Sequence, residues 1–306
     1  MRRINKYLSI LLIFFVIAAN ILLIEYYYIT NYLQNKNYSI ENKDIGLPNF
    51  TGKMCYFNAS MQCLISSKYF TNHFNKIRKG RLYQKVKKFI NAVLCKNMID
   101  YETSVGLLRS VRKGDGYYTG TRPDNSVKFI YDLLKQLDEY EQILKTFEIT
   151  LQYFQGTKLV AYNSTSHHIE INGYSLEEMC IPYQIDNKSS HCLKYHIKSC
   201  SNIIIIEYNF FNENNKNLEE NFKNNINQNI IINDKSYSLF GCIVHIFVDK
   251  DINYGHNIAY VKRSNKWILF DDEKSYIADS LDYVKESKYI ILFYEKDSFH
   301  NSLDSM

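Results

Sequence analysis

A chain of 306 residues with 46% hydrophobic content and three prolines has the apolar material for an N-terminal segment plus one large domain or two small ones, which excludes disorder as the default state. Its formal charge of +5 is spread among Lys, Arg, Asp and Glu without a long basic block, which argues against nucleic acid as the main partner. Seven cysteines, at 55, 63, 95, 180, 192, 200 and 242, form no short-spaced framework and cannot all pair within one chain, so a reducing compartment is the simpler expectation.

The first element is apolar. "MRRINKY" precedes "LSILLIFFVIAANILLIEYYYI", and Leu8 to Ile24 is 17 residues without a charge, at the short end of what spans a bilayer. Tyr26, Tyr27 and Tyr28 follow as an interfacial belt would. A cleavable signal peptide would have a shorter apolar core and a small-residue exit site, so the expectation is a membrane anchor over 1–30 with its transmembrane helix at about 8–28. Residues 31–45 turn polar and Asn-rich, as a linker does, and a catalytic or binding domain is expected over 46–296 with a short tail at 297–306.

At the start of that domain stands "GLPNFTGKMCYFNASMQCL". Cys55, Asn58, Met61, Gln62 and Ile65 recur at helical spacing, which puts Cys55 in the first turn of a helix. There the unpaired N–H groups and the positive end of the dipole favour a thiolate. Asn49, just upstream, carries an amide able to donate to a developing oxyanion. Taken alone, the stretch leaves a chemical role and a packing role for Cys55 level, since isolated short motifs mislead. Asn58, Gln62 and Cys63 need only a structural reading.

From Cys55 to about Phe154 the pattern is mostly helical, with "FNKIRKGRLYQKVKKFINAVL" and "SVKFIYDLLKQLDEYEQILKTF" placing apolar residues three and four apart. After Gln155 come short runs rich in Ile, Val, Tyr and Phe: "TKLVAY", "NIIIIEYNFF", "NIIIND", "YSLFGCIVHIF", "HNIAYVK", "KWILF" and "YIILFYEK". Asn212 to Asn229 is polar and low in complexity, and reads as a mobile surface insertion. Helices followed by strands predict an α+β domain.

Among the histidines, His256 opens "HNIAYVK", which runs through "RSNK" into "WILFDD". Folding this as a hairpin around Ser264 and Asn265 pairs Arg263 with Lys266 and sets His256 diagonally across from Asp271, while slipping the loop by one residue on each strand sets them directly opposite; either way they share one face. Such neighbours come within roughly 5–8 Å, close enough for a carboxylate to orient an imidazole. Asp272 is then expected on the other face. A plain surface hairpin with a solvated histidine is the blander alternative. The order Cys55, His256, Asp271 is that of papain-like thiol proteases.

Together these residues resemble the ubiquitin-specific protease family of deubiquitinating enzymes. Gly46, Leu47, Asn49, Gly52, Cys55, Tyr56, Asn58, Gln62 and Leu64 resemble its cysteine box, "YSLFGCIVHIFVDKDINYGHNIAYVKRSNKWILFDD" its histidine box and "KYIILFYEK" its closing strand. "RPDNSVKFIYDLLKQL" resembles its Gln-Gln-Asp block, with Asp124 and Phe129 in register, and "CIPYQI" and "NIIIIEYNFF" resemble its two central strand motifs. The resemblance implies a papain-like fold with a helical thumb, a β-sheet palm and shortened fingers. It implies cleavage after the last ubiquitin glycine, with Cys55 as nucleophile, His256 as base, Asp271 orienting it and Asn49 with the Cys55 backbone at the oxyanion. Asp124 would hold the ubiquitin tail, and Gly52 and Gly255 would let backbone approach it closely. The partners implied are ubiquitin and ubiquitinated proteins, with no cofactor.

Departures from the family pattern are specific. One extra residue separates Asn49 from Cys55, Arg122 and Pro123 replace the two glutamines, and Asn257 stands where an aromatic residue usually follows the histidine. Paired Cys-x-x-Cys motifs for zinc are absent from the sequence, and no metal is expected. Cys192, His196 and Cys200, at spacing four, would share one helix face but lack a fourth ligand. His167, His168 and His245 read as strand-end or surface residues, and Trp267 as core. A ubiquitin-binding module without turnover and a thiol protease for another ubiquitin-like modifier are the rival readings; the full Cys55, His256, Asp271 set favours an enzyme.

Topology draws on two opposed signals. Arg2, Arg3 and Lys6 before the apolar run and Glu25 after it would send the domain across the membrane. There the thiols would meet an oxidising lumen, and the sequons at Asn49 and Asn58 would invite glycans into the site. The expectation is a catalytic domain facing the cytosol, on the mitochondrial outer membrane ahead of the endoplasmic reticulum, since some members of the resembled family are anchored on the former.

Overall fold

A computed structural model describes residues 44–75, 80–114, 116–141, 143–155, 158–171, 193–210, 219, 222, 226, 228–247 and 255–297. The apolar run Leu8–Ile24, the linker to residue 43 and "CIPYQI" lie outside the described residues. Among the described residues no helix is long and apolar enough to cross a membrane.

Helices come first. Helix α1 (Cys55–Ser66) is buried on every side except at Ser66, so it is a core helix rather than a surface one. Helix α2 (Lys68–Asn72) is capped by Ser67, whose Oγ accepts the Phe70 N–H at 3.2 Å. Helix α3 (Arg81–Leu94) buries Tyr83, Val86, Phe89, Ile90 and Val93, a stripe at three and four spacing. The helical pattern expected from Phe74 is split: Gly80 has φ of 133°, so α3 starts only at Arg81, and Phe74 sits in a separate 3-10 turn, His73–Asn75. Helix α4 (Tyr101–Leu108) is capped by Asp100, which accepts the Thr103 N–H at 2.7 Å. Helix α5 (Ser126–Glu141) follows Asn125, whose Oδ1 accepts the Lys128 N–H at 2.9 Å.

These helices share one aromatic core. Phe57 of α1 meets Phe89 of α3 edge-on at 5.6 Å and Phe129 of α5 at 5.4 Å. Between α4 and α5 a ribbon of β1 (Arg112–Lys113) and β2 (Gly116–Tyr117) leads to Tyr118, which packs on Phe129 at 5.3 Å.

The strands then build a large sheet in the order β12-β11-β10-β9-β13-β7-β5, with β8 beside β9. Its members are β5 (Ile169–Ile171), β7 (Ile203–Asn209), β8 (Asn229–Ile232), β9 (Lys235–Phe247), β10 (Gly255–Arg263), β11 (Lys266–Asp271), β12 (Lys274–Ala278) and β13 (Tyr289–Lys296). All pairings are antiparallel except β5 with β7. Alternation assigns two cores: Ala259 and Val261 face the helical core, while Ile258 and Tyr260 join the core on the far side with buried Trp267 and Leu269. Helix α1 lies close on the sheet at Gly241, where a Cβ would come within 3.3 Å of the Cys63 sulfur. The mixed helix-and-sheet class is as expected; β12 and the short helix α6 (Asp282–Glu286) were not anticipated.

A second sheet, β4-β3-β6, holds β3 (Ile149–Gln155), β4 (Lys158–Ser166) and β6 (Leu193–Cys200). It overturns the helix expected for Cys192, His196 and Cys200. His196 and Cys200 lie on a strand, where four residues span about 13 Å at roughly 3.3 Å per residue, too far for one metal. Cys192 lies outside the described residues. The polar stretch after Phe210 is also corrected at two positions. Glu219 and Phe222 are buried: Phe222 packs on Tyr208 at 4.7 Å and on Phe210 at 5.4 Å, and Glu219 pairs with Lys288. Apolar residues spaced within a polar run found a sheet surface to cover.

Candidate active site

Helix α1 begins at Cys55, and Met54 before it makes no side-chain cap bond to the first turn. Cys55 is buried at 5% exposure. The residue inserted before it is absorbed by a turn: the Gly52 N–H bonds the Asn49 carbonyl at 3.0 Å, and Gly52 has φ of +69°. With the turn closed, Asn49 still reaches the helix start, its Oδ1 accepting the Met54 N–H at 2.9 Å. Gly52 thus serves backbone conformation, for nothing lies within 4 Å of where its Cβ would be.

The hairpin has the register counted from the sequence, Arg263 opposite Lys266 through Ala259 opposite Phe270. Ser264 and Asn265 have φ of 49° and 63°, the left-handed pair that matches strand twist in a two-residue turn. His256 and Asp271 are diagonal neighbours, and Nε2 of the imidazole lies 2.5 Å from Asp271 Oδ1. That leaves Nδ1 for the Cys55 thiol, and the imidazole and the thiol each shift the other's titration.

Asp272 is not on the far side of the sheet, contrary to the alternation expected. Strand β11 ends at Asp271, Asp272 has φ of 49°, and the chain turns there into β12, so strand alternation no longer applies. Its carboxylate swings to the site, where Oδ1 accepts the Asn58 amide at 2.7 Å and Oδ2 the Asn49 amide at 2.9 Å, with His256 Nε2 at 4.0 Å. Asn58 also donates to the Leu47 carbonyl at 2.9 Å, and Leu47 N–H bonds the Asp272 carbonyl at 2.7 Å. A Cβ on Gly46 would sit 2.3 Å from the Glu273 backbone, so only glycine fits where this loop crosses the turn.

The electrostatics separate Cys55 from its relatives. Burial pushes its thiol up, but the hydrogen bond and positive charge of His256 outweigh that and hold it below the ordinary thiol range. Burial pushes the His256 imidazole down, and Asp271 and Cys55 more than compensate, raising it well above the usual range. Cys63 and Cys242, buried without such a partner, are both driven up and stay thiols. Burial raises Asp272 against the pull of His256, Asn58 and Asn49.

Other expected residues fall nearby in different ways. Asp124, just ahead of α5, is paired with Lys113 of β1. Gly255 is crowded by its own sheet: a Cβ there would lie 2.4 Å from the Ile246 carbonyl and 2.5 Å from His245 Nε2. His245 is buried inside β9 rather than at a surface, with Nδ1 3.1 Å from Asn257 Oδ1, and the Asn257 amide nitrogen lies 3.6 Å from the Cys55 sulfur. Sequence reasoning missed Asp272, Asn58 and Asn257 as site neighbours; "DDEK" before a second alternating run was the one available sign of a turn.

His256, Asp271 and Asp272 offer three ligand atoms within 4.8 Å of one another. Both Asp272 oxygens accept amide N–H bonds and Asp271 holds the imidazole, an arrangement suited to a cationic ring rather than a metal ion.

Among solved structures the chain is similar to a SAGA DUB module of Ubp8, Sgf11, Sus1 and Sgf73 bound to monoubiquitin, at 16% identity and a TM-score of 0.62, covering 88% of this chain and 74% of that one. It is similar to a yeast SAGA DUB module with an Sgf73 variant, at 16% identity and a TM-score of 0.57, over 86% and 71% of the two chains. It is also similar to an essential yeast splicing factor, at 13% identity and a TM-score of 0.58, over 84% and 70%. At such identities the likeness is one of fold. A comparison with curated proteins returns no match. The family model described as ubiquitin carboxyl-terminal hydrolase matches residues 45–294, from the approach to Cys55 through β13, and the chain belongs to that family.

Proposed function

We propose that this chain is a deubiquitinating thiol protease that hydrolyses the (iso)peptide bond after the C-terminal glycine of ubiquitin on protein conjugates at a membrane surface. By family it is a cysteine-type ubiquitin hydrolase. The observation that carries the assignment of roles is the helix-start thiol held low beside an imidazole whose other nitrogen sits 2.5 Å from Asp271.

In this reading Cys55 gives its proton to His256, and the thiolate attacks the carbonyl carbon of the last ubiquitin glycine. The oxyanion takes hydrogen bonds from the Cys55 backbone N–H and from Asn49, whose amide is steadied by Asp272 and Met54. As the C–N bond breaks, His256 returns the proton to the departing lysine amine. Water then attacks the thioester, His256 takes one of its protons, and the ubiquitin carboxylate leaves as the thiol reforms. Asp271 keeps the imidazole oriented and supports its charged form. Asp124 holds the ubiquitin tail by exchanging Lys113 for a backbone N–H of the substrate, and Gly255 keeps the β10 end of the cleft low.

The chain, reacted with ubiquitin bearing a C-terminal electrophile, should form one adduct on Cys55. Cys55→Ala should lose hydrolysis to the uncatalysed background while still binding ubiquitin. Persistent cleavage by that variant sinks the mechanism, and reaction only with another ubiquitin-like modifier moves the substrate.

The apolar run from Leu8 to Ile24 supports an N-terminal anchor, with the domain facing the cytosol on the mitochondrial outer membrane. Protease added to intact organelles should digest the domain, and no glycosidase-sensitive mass should appear. Protection together with such a mass overturns the topology.

A further inference from the structure

We infer that Asn257 is a further catalytic residue, whose side-chain amide donates to the Cys55 sulfur, and that His245 is the positioning residue that aims it. The inference deepens the reading of Cys55 as nucleophile and rests on it.

Asn257 and His245 are directly paired across β10 and β9. Both are buried, and the amide is oriented by its two ends: Oδ1 faces His245 Nδ1 at 3.1 Å, and Nδ2 faces Cys55 Sγ at 3.6 Å. This orientation requires the Nδ1-protonated form of His245, because a carbonyl oxygen needs a donor. A flipped amide would set that oxygen against the thiolate instead. An N–H donor aimed at sulfur favours the anion over the thiol, and the Asn257 backbone acts on the same thiol in the same direction.

The His245 ring needs space at the head of β10, and Gly255 supplies it, for a Cβ there would lie 2.5 Å from Nε2. The ring is further clamped by Phe247 at 4.4 Å and Tyr289 at 6.4 Å. Gly255, His245 and Asn257 therefore form one chain of contacts ending at the nucleophile, on the side of the sulfur served by β9. It accounts for three features of the sequence at once: the glycine before His256, a histidine inside an apolar strand, and an asparagine after His256.

Other groups act on the same sulfur and set the background for a test. His256 faces it from β10, backed by Asp271 of β11; Asp272 acts from the following turn, and Tyr56 is its neighbour on α1. None of these is changed by substitution at Asn257.

The test is alkylation of Cys55 by iodoacetamide across pH on the full chain, read by mass on the Cys55 peptide and without ubiquitin. Asn257→Leu should move the midpoint up by about one pH unit, as expected for one hydrogen bond to a charged group. His245→Phe should move it the same way by about threefold, since it releases the amide without removing it. Asn257→Asp keeps the acceptor for His245 and replaces the donor with a like charge, so its midpoint should rise further; this variant decides the matter if Asn257→Leu does not fold. In ubiquitin hydrolysis the lost kcat/KM of Asn257→Leu should recover as pH rises, which a packing defect would not do. A midpoint unchanged in the Asn257 variants overturns the inference and leaves the nucleophile assignment standing, whereas hydrolysis by Cys55→Ala overturns that assignment by a different measurement.

Discussion

In the β10–β11 hairpin each position is set by its backbone partner, from Arg263 opposite Lys266 to Ala259 opposite Phe270. One residue beyond the end of β11, at Asp272, position is set by side chains instead: the amides of Asn49 and Asn58 hold its carboxylate, and Asn58 ties the same turn to the Leu47 loop. Both regions deliver a carboxylate to the same imidazole, at 2.5 Å and at 4.0 Å. Backbone ladders place residues by counting. Side-chain networks place them through partners hundreds of residues away, and break when any one partner is lost.

The sharpest way to break the comparison is His256→Ala, which removes the group that both regions serve. It should lower kcat/KM by roughly 10³-fold or more, as loss of a general base does. A smaller loss than that of Asp271→Asn would mean another group carries the proton.

The two carboxylates should then separate. Asp271→Asn should cost on the order of 10²-fold, since it orients and charges the base without transferring the proton, and Asp272→Asn should cost less. Their pH profiles differ in the limb that moves, one narrowing the active range and the other widening it. Activity needs the thiolate and imidazolium together, so it falls as pH drops through the lowered Cys55 pKa and falls again as pH rises through the raised His256 pKa. Asp271 raises His256, so Asp271→Asn should pull the alkaline limb to lower pH. Asp272 raises Cys55, so Asp272→Asn should pull the acid limb to lower pH. If Asp272→Asn instead moves the alkaline limb and costs more rate, the turn carboxylate is the orienting one.

Asn58→Ala tests the loop side alone. It removes donors to the Leu47 carbonyl and to Asp272 within a buried site, which should cost about 2 kcal/mol of stability, read as a lower denaturant midpoint. An unchanged midpoint would show the loop to be held by the Leu47 and Gly46 backbone contacts. The smallest effect expected is none: a metal chelator should leave activity and folding unchanged, and stoichiometric zinc in the purified protein would contradict that.

The hairpin was legible because its turn residues and period-two alternation are local, and the diagonal from His256 to Asp271 follows from them by arithmetic. Cys55 at a helix start was legible for the same reason, since helical spacing from Cys55 to Ile65 is a property of ten consecutive steps. Asp272 was misplaced because the strand ends one residue earlier than an unbroken alternation assumes. Phe222 and Glu219 were read as surface because the sequence around them is polar, and only the sheet carrying Tyr208 and Phe210 offers them a place. A helix would have gathered His196 and Cys200, but the rise per residue in a strand separates them.

By itself, then, the order of residues determined that a helical half precedes a strand-rich half, which thiol stands at a helix start, and which acid shares a face with which histidine across a two-residue turn, because each depends on neighbours within a few positions. Tertiary structure alone decided that Asp272 turns back to join Asn49 and Asn58, that Gly255 makes room for His245, and that Asn257 aims its amide at Cys55. Those contacts link residues up to 223 positions apart, and a hydrogen bond has a direction that spacing along the chain does not encode.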